Sequence, residues 1–277
     1  MKITLWGVRG SIPTINPYTK LYGGNTSCVE VEEDGRLLVL DAGSGITNLN
    51  FSENLSNQRI DILLTHLHID HIQGLGFFKP LFDPSKEVHI WGPHTTTHSL
   101  RTRLGRYFSP PLSPVYFRDL PCQIIIHEID NSSFEIGPFT IQSRYIIHPG
   151  PTVGFRVQSR SGVFTYIPDH EPALGRSGIQ HDVQWLSGSE LARDADLLLH
   201  DAQYTSDEYK ARAGWGHSSM EDALTFARLT GVKRLLLSHH DPMHSDVQLD
   251  ELYAQIVNSS SWPFPFEMAV EGTRIEI

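Results

Sequence analysis

Hydrophobic residues in this chain arrive mostly in short runs rather than in long helical stripes. Runs rich in β-branched residues and leucine, each bounded by Gly, Asp or Pro, recur at Lys2 to Val8, Cys28 to Val31, Arg36 to Leu40, Ile60 to Thr65, Val88 to Trp91, Gln123 to His127, Phe139 to Ile147, Val153 to Gln158, Val163 to Ile167, Leu197 to His200 and Arg234 to Ser238. Each predicts a strand. Helical spacing is clearest late in the chain. Ser218-Ser219-Met220-Glu221 reads as a capping box, Leu224, Ala227 and Arg228 continue at three and four spacing, and Gly231 is the stop. A second helix is predicted from Asp246 to Val257 through Leu249, Leu252, Tyr253 and Ile256, and a third from Thr95 to Tyr107. Strands dominate the first two thirds without regular strand–helix alternation. The expectation is therefore an α/β chain with two mixed sheets covered by helices. We expect a single domain over residues 1–277, with a lid-like inserted segment at Lys79 to Pro121 that holds the proline-rich stretch Ser109 to Pro114.

Composition narrows the function. The 277 residues carry 22 Lys plus Arg against 32 Asp plus Glu, a net charge of −10, which argues against a generic binder of phosphate backbones. Cys28 and Cys122, far apart, make neither a disulfide framework nor a zinc ribbon. The first apolar run is too short for a signal-peptide core, and nowhere do eighteen apolar residues follow one another. A cytoplasmic protein with no membrane partner is expected. The unusual feature is 15 histidines, all between His66 and His244, because a residue that titrates near neutrality and ligates metal is seldom accumulated as surface filler.

The densest cluster follows an apolar strand: His66-Leu67-His68-Ile69-Asp70-His71, four potential ligands within six residues. Strand alternation would put His66 and His68 on one face, with Asp70 and His71 where the chain turns toward Gly74 and Gly76, so that one short loop serves two metals. With this motif in place, the chain resembles the metallo-β-lactamase superfamily, in the branch that contains ribonuclease Z, the tRNA 3′-processing endonuclease, and metal-dependent cyclic-nucleotide phosphodiesterases. The resemblance runs through Leu5-Trp6-Gly7-Val8-Arg9-Gly10-Ser11-Ile12-Pro13-Thr14, Gly23-Gly24-Asn25-Thr26-Ser27, Leu40-Asp41-Ala42-Gly43, His148 before Val153-Gly154-Phe155-Arg156-Val157, Asp169 after Phe164 to Pro168, His200-Asp201-Ala202, Gly216-His217-Ser218-Ser219 and Leu237-Ser238-His239.

That resemblance implies an αββα sandwich. It assigns one metal to His66, His68, His148 and Asp169 and the other to Asp70, His71, Asp169 and His239, with Asp169 bridging and the neighbouring His240 turned away. Such imidazole and carboxylate ligands suit two divalent ions, Zn²⁺ first and Mn²⁺ next, and two ions sharing a hydroxide suit in-line phosphodiester hydrolysis, with Asp70 counted in the catalytic centre. His217 would bind phosphate or protonate the leaving oxygen, paired with Asp201, which is one methylene shorter than the family's glutamate. His89, His94, His98, His127, His170, His181 and His244 are read as ordinary surface or core histidines.

Among substrates, small cyclic nucleotides are the leading expectation. A tRNA-processing role, the alternative, needs a gripping arm. Only 30 residues lie between Asp169 and His200, and Arg160, Arg176 and Arg193 are scattered. A lactonase or other non-phosphoester hydrolase is the third possibility. The expected partner is a small nucleotide with no stable nucleic-acid partner, and the resemblance implies a homodimer. Tyr107, Phe108, Tyr116 and Phe117, flanking the proline-rich stretch, are the candidates to stack a base.

Overall fold

The computed structural model describes residues 1–50, 58–173, 179 and 182–277; Arg176 and His181 lie outside the described residues. Two seven-stranded sheets pack face to face. The first contains β1 (Lys2–Gly7), β2 (Cys28–Glu33), β3 (Arg36–Leu40), β4 (Arg59–Leu63), β5 (Glu87–Pro93) and β6 (Gln123–Ile129). The second contains β7 (Ser133–Ile136), β8 (Phe139–Tyr145), β9 (Val153–Gln158), β10 (Val163–Ile167), β11 (Leu197–Asp201), β12 (Leu235–Ser238) and β13 (Phe266–Met268), while β14 (Arg274–Glu276) returns to the first sheet beside β1. The two sheets share a plan. In the first, β1 to β3 are antiparallel and β3 to β6 parallel; in the second, β7 to β10 are antiparallel and β10 to β13 parallel.

The leucine-rich runs are strands with both faces buried. Leu38 and Leu40 point between the sheets and Leu37 and Val39 outward under helices; Leu197 and Leu199 point inward and Leu198 outward. Asp34-Gly35, both at positive φ, turns β2 into β3 as the two-residue hairpin such a pair favours. The first sheet's outer face is covered by α1 (Ile46–Leu49), α2 (Ile69–Ile72) and α3 (Leu100–Tyr107). The second is covered by α4 (Ser189–Ala192), α6 (Met220–Thr230) and α7 (Asp246–Ser259), with α5 (Ser206–Arg212) beside the rim. The expected αββα sandwich is the fold observed. Among the described residues no helix is long and apolar enough to cross a membrane.

Several expectations shift. The helix expected from Thr95 begins only at Leu100, because the Ser99 side chain accepts from the Thr102 amide and caps it there. The α6 cap is Ser219 rather than Ser218, whose hydroxyl donates to His170 O instead. The segment Lys79 to Pro121 is not wholly an insertion, since it contains β5, paired on both sides by β4 and β6. The strands not anticipated, β7, β13 and β14, are short pieces at or near sheet edges, where half the residues face solvent and no apolar run marks them.

Candidate functional site

Parallel strands of both sheets end at one rim, and the chemistry collects there. Asp41 follows β3, His66 follows β4, Asp169 follows β10, Asp201 closes β11 and His239 follows β12. Ligand sites in open α/β sheets form beyond the carboxyl ends of strands for the same reason: the sheet is rigid and the loops beyond it are free to converge. His66 and His68 sit past the end of β4, so turn geometry rather than strand alternation aims them. His68 is the residue that opens α2, which carries Asp70 and His71.

Two groups of four potential ligand atoms result, His66, His68, His148 with Asp169 and Asp70, His71, His239 with Asp169, each within 4.8 Å. One carboxylate divides between them. Asp169 Oδ2 lies 3.7 Å from both His66 Nε2 and His148 Nε2, while Oδ1 lies 3.0 Å from His71 Nε2 and 3.3 Å from His239 Nδ1. Asp70 Oδ2 is 3.3 Å from His71 Nε2. The donor set fits divalent ions by a test independent of family: among the described residues, His66 Nε2 and both ring nitrogens of His239 are buried with no hydrogen-bond partner. Buried polar atoms are otherwise almost always paired.

The electrostatics differ between the two groups. Burial would raise the Asp169 carboxyl, yet the imidazoles of His239, His71 and His66 hold it well below the usual carboxylate range. Burial pushes His66 down and His148 to about 4, leaving neutral imidazoles, the protonation state metal binding requires; at His71 burial is outweighed by the carboxylates of Asp169, Asp70 and Asp41, which raise it well above 6.5, so an ion there takes the place of a proton.

A second layer fixes which nitrogen points inward. His71 Nδ1 donates to Asp41 Oδ2 at 2.8 Å, so Nε2 is the nitrogen turned toward the ligand group. Asp41 also accepts from the Thr65 amide and hydroxyl and from Tyr166 OH, and Thr65 Oγ1 lies 3.0 Å from His66 Nδ1. His148 Nδ1 donates to Gly216 O at 2.7 Å. The role of Asp41 was missed in the sequence. Its signal was there, a carboxylate closing an apolar strand, but its partners are supplied by other strands. Asp41, Ser11 and His239 are non-glycine residues at positive φ, a conformation that persists where surrounding contacts over-determine it. The left-handed turn at His239, not strand alternation, separates it from His240, whose Nε2 donates to Ala269 O beneath Tyr22.

His217 stands beside both groups, its ring 5.0 Å from those of His148 and His239. Its Nδ1 donates to Asp201 Oδ2 at 2.7 Å, so the shorter aspartate still closes the pair. Asp201 is itself fixed by the amides of His170 and Gln203. Burial opposes a charge on His217, but the Asp201 carboxylate lifts its pKa to about 9. Glu171, also missed, anchors the loop by accepting the Gly214 and Gly216 amides and Tyr209 OH.

The aromatic candidates separate. Phe108 and Phe117 are buried in the core under the first sheet and present no face to a ligand, which corrects their assignment to a base. Tyr116 is 41% exposed beneath the Arg118 guanidinium and does not line the cavity at the metal groups. Tyr107 does line it. Of the histidines read as ordinary, His89 contacts His127, His94 pairs with Glu128, His170 contacts His200 and His244 pairs with Glu208; none of these, nor His98, belongs to either ligand group.

Residues 36–240 match the family described as the beta-lactamase superfamily domain. A ribonuclease Z of Thermococcus gammatolerans is 25% identical over 256 residues, covering 78% of this chain and 78% of that protein. Among solved structures, the metallo-beta-lactamase fold protein YhfI from Bacillus subtilis matches with a TM-score of 0.71 at 21% identity, covering 100% and 98% of the two chains. Human tRNase Z, short form, matches with a TM-score of 0.68 at 23% identity, covering 100% and 99%. These relatives overturn the expectation of a small-nucleotide partner with no nucleic acid, because the curated proteins it resembles are named as ribonucleases. The family model across most of the chain, the paired sheets and the shared carboxylate between two ligand groups agree, and the chain belongs to the metallo-β-lactamase superfamily as one of its metal-dependent hydrolases.

Proposed function

We propose that this protein hydrolyses phosphodiester bonds in RNA, as an endonuclease of the ribonuclease Z kind. The observation that supports it most is His217, held by Asp201 beside two ligand groups that share Asp169. Divalent ions, Zn²⁺ first, would be held by His66, His68, His148, Asp70, His71, His239 and Asp169; bound there, they supply Lewis-acid neutralisation of phosphate charge and activation of water. The chain's own residues do the rest. Asp41 and Gly216 O orient the imidazoles, and Asp70 receives the Ser11 amide at 3.0 Å, which keeps that carboxylate in place. His217 enters protonated, with Nδ1 committed to Asp201 and Nε2 left for the substrate. It is suited to bind a non-bridging oxygen and then to give its proton to the leaving oxygen. Asp201 positions it and compensates its charge.

The net charge of −10 does not weigh against this reading, because contact is local and the cavity beside His66 and His68 is lined by Arg103 and Arg106. A product-resolved assay of Zn²⁺-loaded protein against a precursor tRNA with a 3′ trailer, a 3′,5′-cyclic nucleotide and a lactone tests it. One endonucleolytic cut in the precursor is expected. Turnover of the cyclic nucleotide or the lactone with an intact precursor overturns the proposal.

A further inference from the structure

A cavity of about 410 Å³ opens beside His66 and His68, and α3 forms one of its walls. In a chain with more acids than bases, α3 carries Arg101, Arg103 and Arg106 and no carboxylate. Arg103 and Arg106 are three apart, so they share a face, and both line the cavity. Arg101 is employed elsewhere, over the Phe117 ring and toward Ile124 O. Neither Arg103 nor Arg106 forms an ion pair among the described residues, whereas Arg36, Arg59, Arg144, Arg160 and Arg234 each do. Arg103 is tethered to Pro93 O and leaves a buried Nε without a partner, whereas the Arg106 side chain is exposed.

The remaining walls are apolar. Leu112, Pro151 and Tyr107 face the space, and Tyr107 OH donates to Gln73 O at 2.6 Å, so its ring is held in place. A cationic side next to a fixed ring and a proline matches the two halves of one nucleotide, since guanidinium groups take phosphate oxygens in pairs and aromatic faces take bases of any kind.

We propose that this cavity is the subsite for the nucleotide flanking the scissile phosphodiester, with Arg106, backed by Arg103, holding the adjacent phosphate and with Tyr107 and Pro151 carrying the base. The assignment rests on the RNA reading above. It makes Arg106 a determinant of specificity, outside the bond-breaking step.

Arg106→Ala tests it, because an exposed side chain without partners can be removed without unfolding the protein. On Zn²⁺-loaded protein, kcat/KM for precursor tRNA should fall about 10-fold or more through KM, and the slope of log KM against log salt should shrink by about one phosphate contact. Bis(p-nitrophenyl) phosphate, a diester with neither a base nor a second phosphate, should lose less than about twofold. By calorimetry, adenosine 5′-monophosphate should bind at least about fivefold more weakly to the variant, and inorganic phosphate, too small to span from the metals to α3, as before. Equal losses on RNA and the small diester, or none on either together with unchanged nucleotide binding, overturn the subsite. Wild-type protein that leaves the precursor intact while showing the nucleotide contrast overturns the RNA reading and leaves the subsite standing; cleavage without the contrast does the reverse.

Discussion

A single carboxylate illustrates how much one side chain carries at the residue scale. Asp169 directs Oδ2 toward one ligand group and Oδ1 toward the other. Asp169→Ala is expected to lose more metal than replacement of any one histidine, because each histidine serves one group. Elemental analysis returning two ions per chain for Asp169→Ala would count against the bridge. Asp41 touches no substrate and belongs to neither group, yet it holds the His71 tautomer. Asp41→Asn, which tolerates the same positive φ, should keep the fold and weaken one metal by about 10- to 100-fold in a chelator competition. His217→Ala should retain both ions while kcat on a phosphodiester drops by about 10²- to 10⁴-fold. Undiminished turnover would reduce His217 to a loop residue.

At the scale of elements, the loop leading into α6 joins His148 and His217 in one rigid piece. Gly216, at φ +90°, gives its carbonyl to His148 and is followed directly by His217. A Cβ added there would lie 2.1 Å from Pro149 Cδ and 2.6 Å from His148 Nδ1. Gly216→Ala must therefore move His148 and His217 together. The expected outcome is a folded protein by circular dichroism, with reduced occupancy of the metal that His148 serves and activity down by at least about 10². Full activity in that variant would mean the loop is looser than its contacts indicate. The same loop depends on Glu171, which bonds its amides from the segment after Asp169, so the carboxylate shared by the two groups and the support of His217 come from one stretch of chain.

For the whole molecule, buried histidines set the acid limit of stability. Burial lowers His200 to about 4 and His240 to about 3 from the ordinary 6.5, so both stay neutral in the fold. As pH falls below 6.5 the unfolded chain takes up these protons first. Stability is then full above that pH and lost on the way down toward the folded values, by up to about 1.4 kcal/mol per pH unit for each group. Melting temperature should fall steadily from pH 7 to pH 4.5, and His240→Gln, whose amide can still donate to Ala269 O, should flatten the decline. A melting temperature independent of pH across that window would contradict the assignment.

Local physics made a good part of this protein legible in advance. A strand with both faces buried shows as a leucine-rich run, a helix shows as the spaced apolar residues Leu249, Leu252, Tyr253 and Ile256, and His66 to His71 shows four candidate ligands within six residues. What depended on the tertiary structure was which groups face each other across long stretches of chain. His148 meets Gly216 from 68 residues away and His71 meets Asp41 from 30 residues away, so neither contact leaves a periodicity behind. Phe108 and Tyr107 are adjacent and both aromatic, yet one is buried in the core and the other lines the cavity, because α3 turns them about 100° apart. His239 and His240 part ways at a left-handed residue that only the converging loops of both sheets can hold. Residue types and spacing alone were enough to mark the cluster from His66 to His71 and most of the strands, and His148, Asp169 and His239 joined it through the family resemblance. The sandwich decided their orientation, because residue types and spacing specify local geometry, whereas a bridging carboxylate, a fixed tautomer and a cationic cavity wall require the two sheets to be packed.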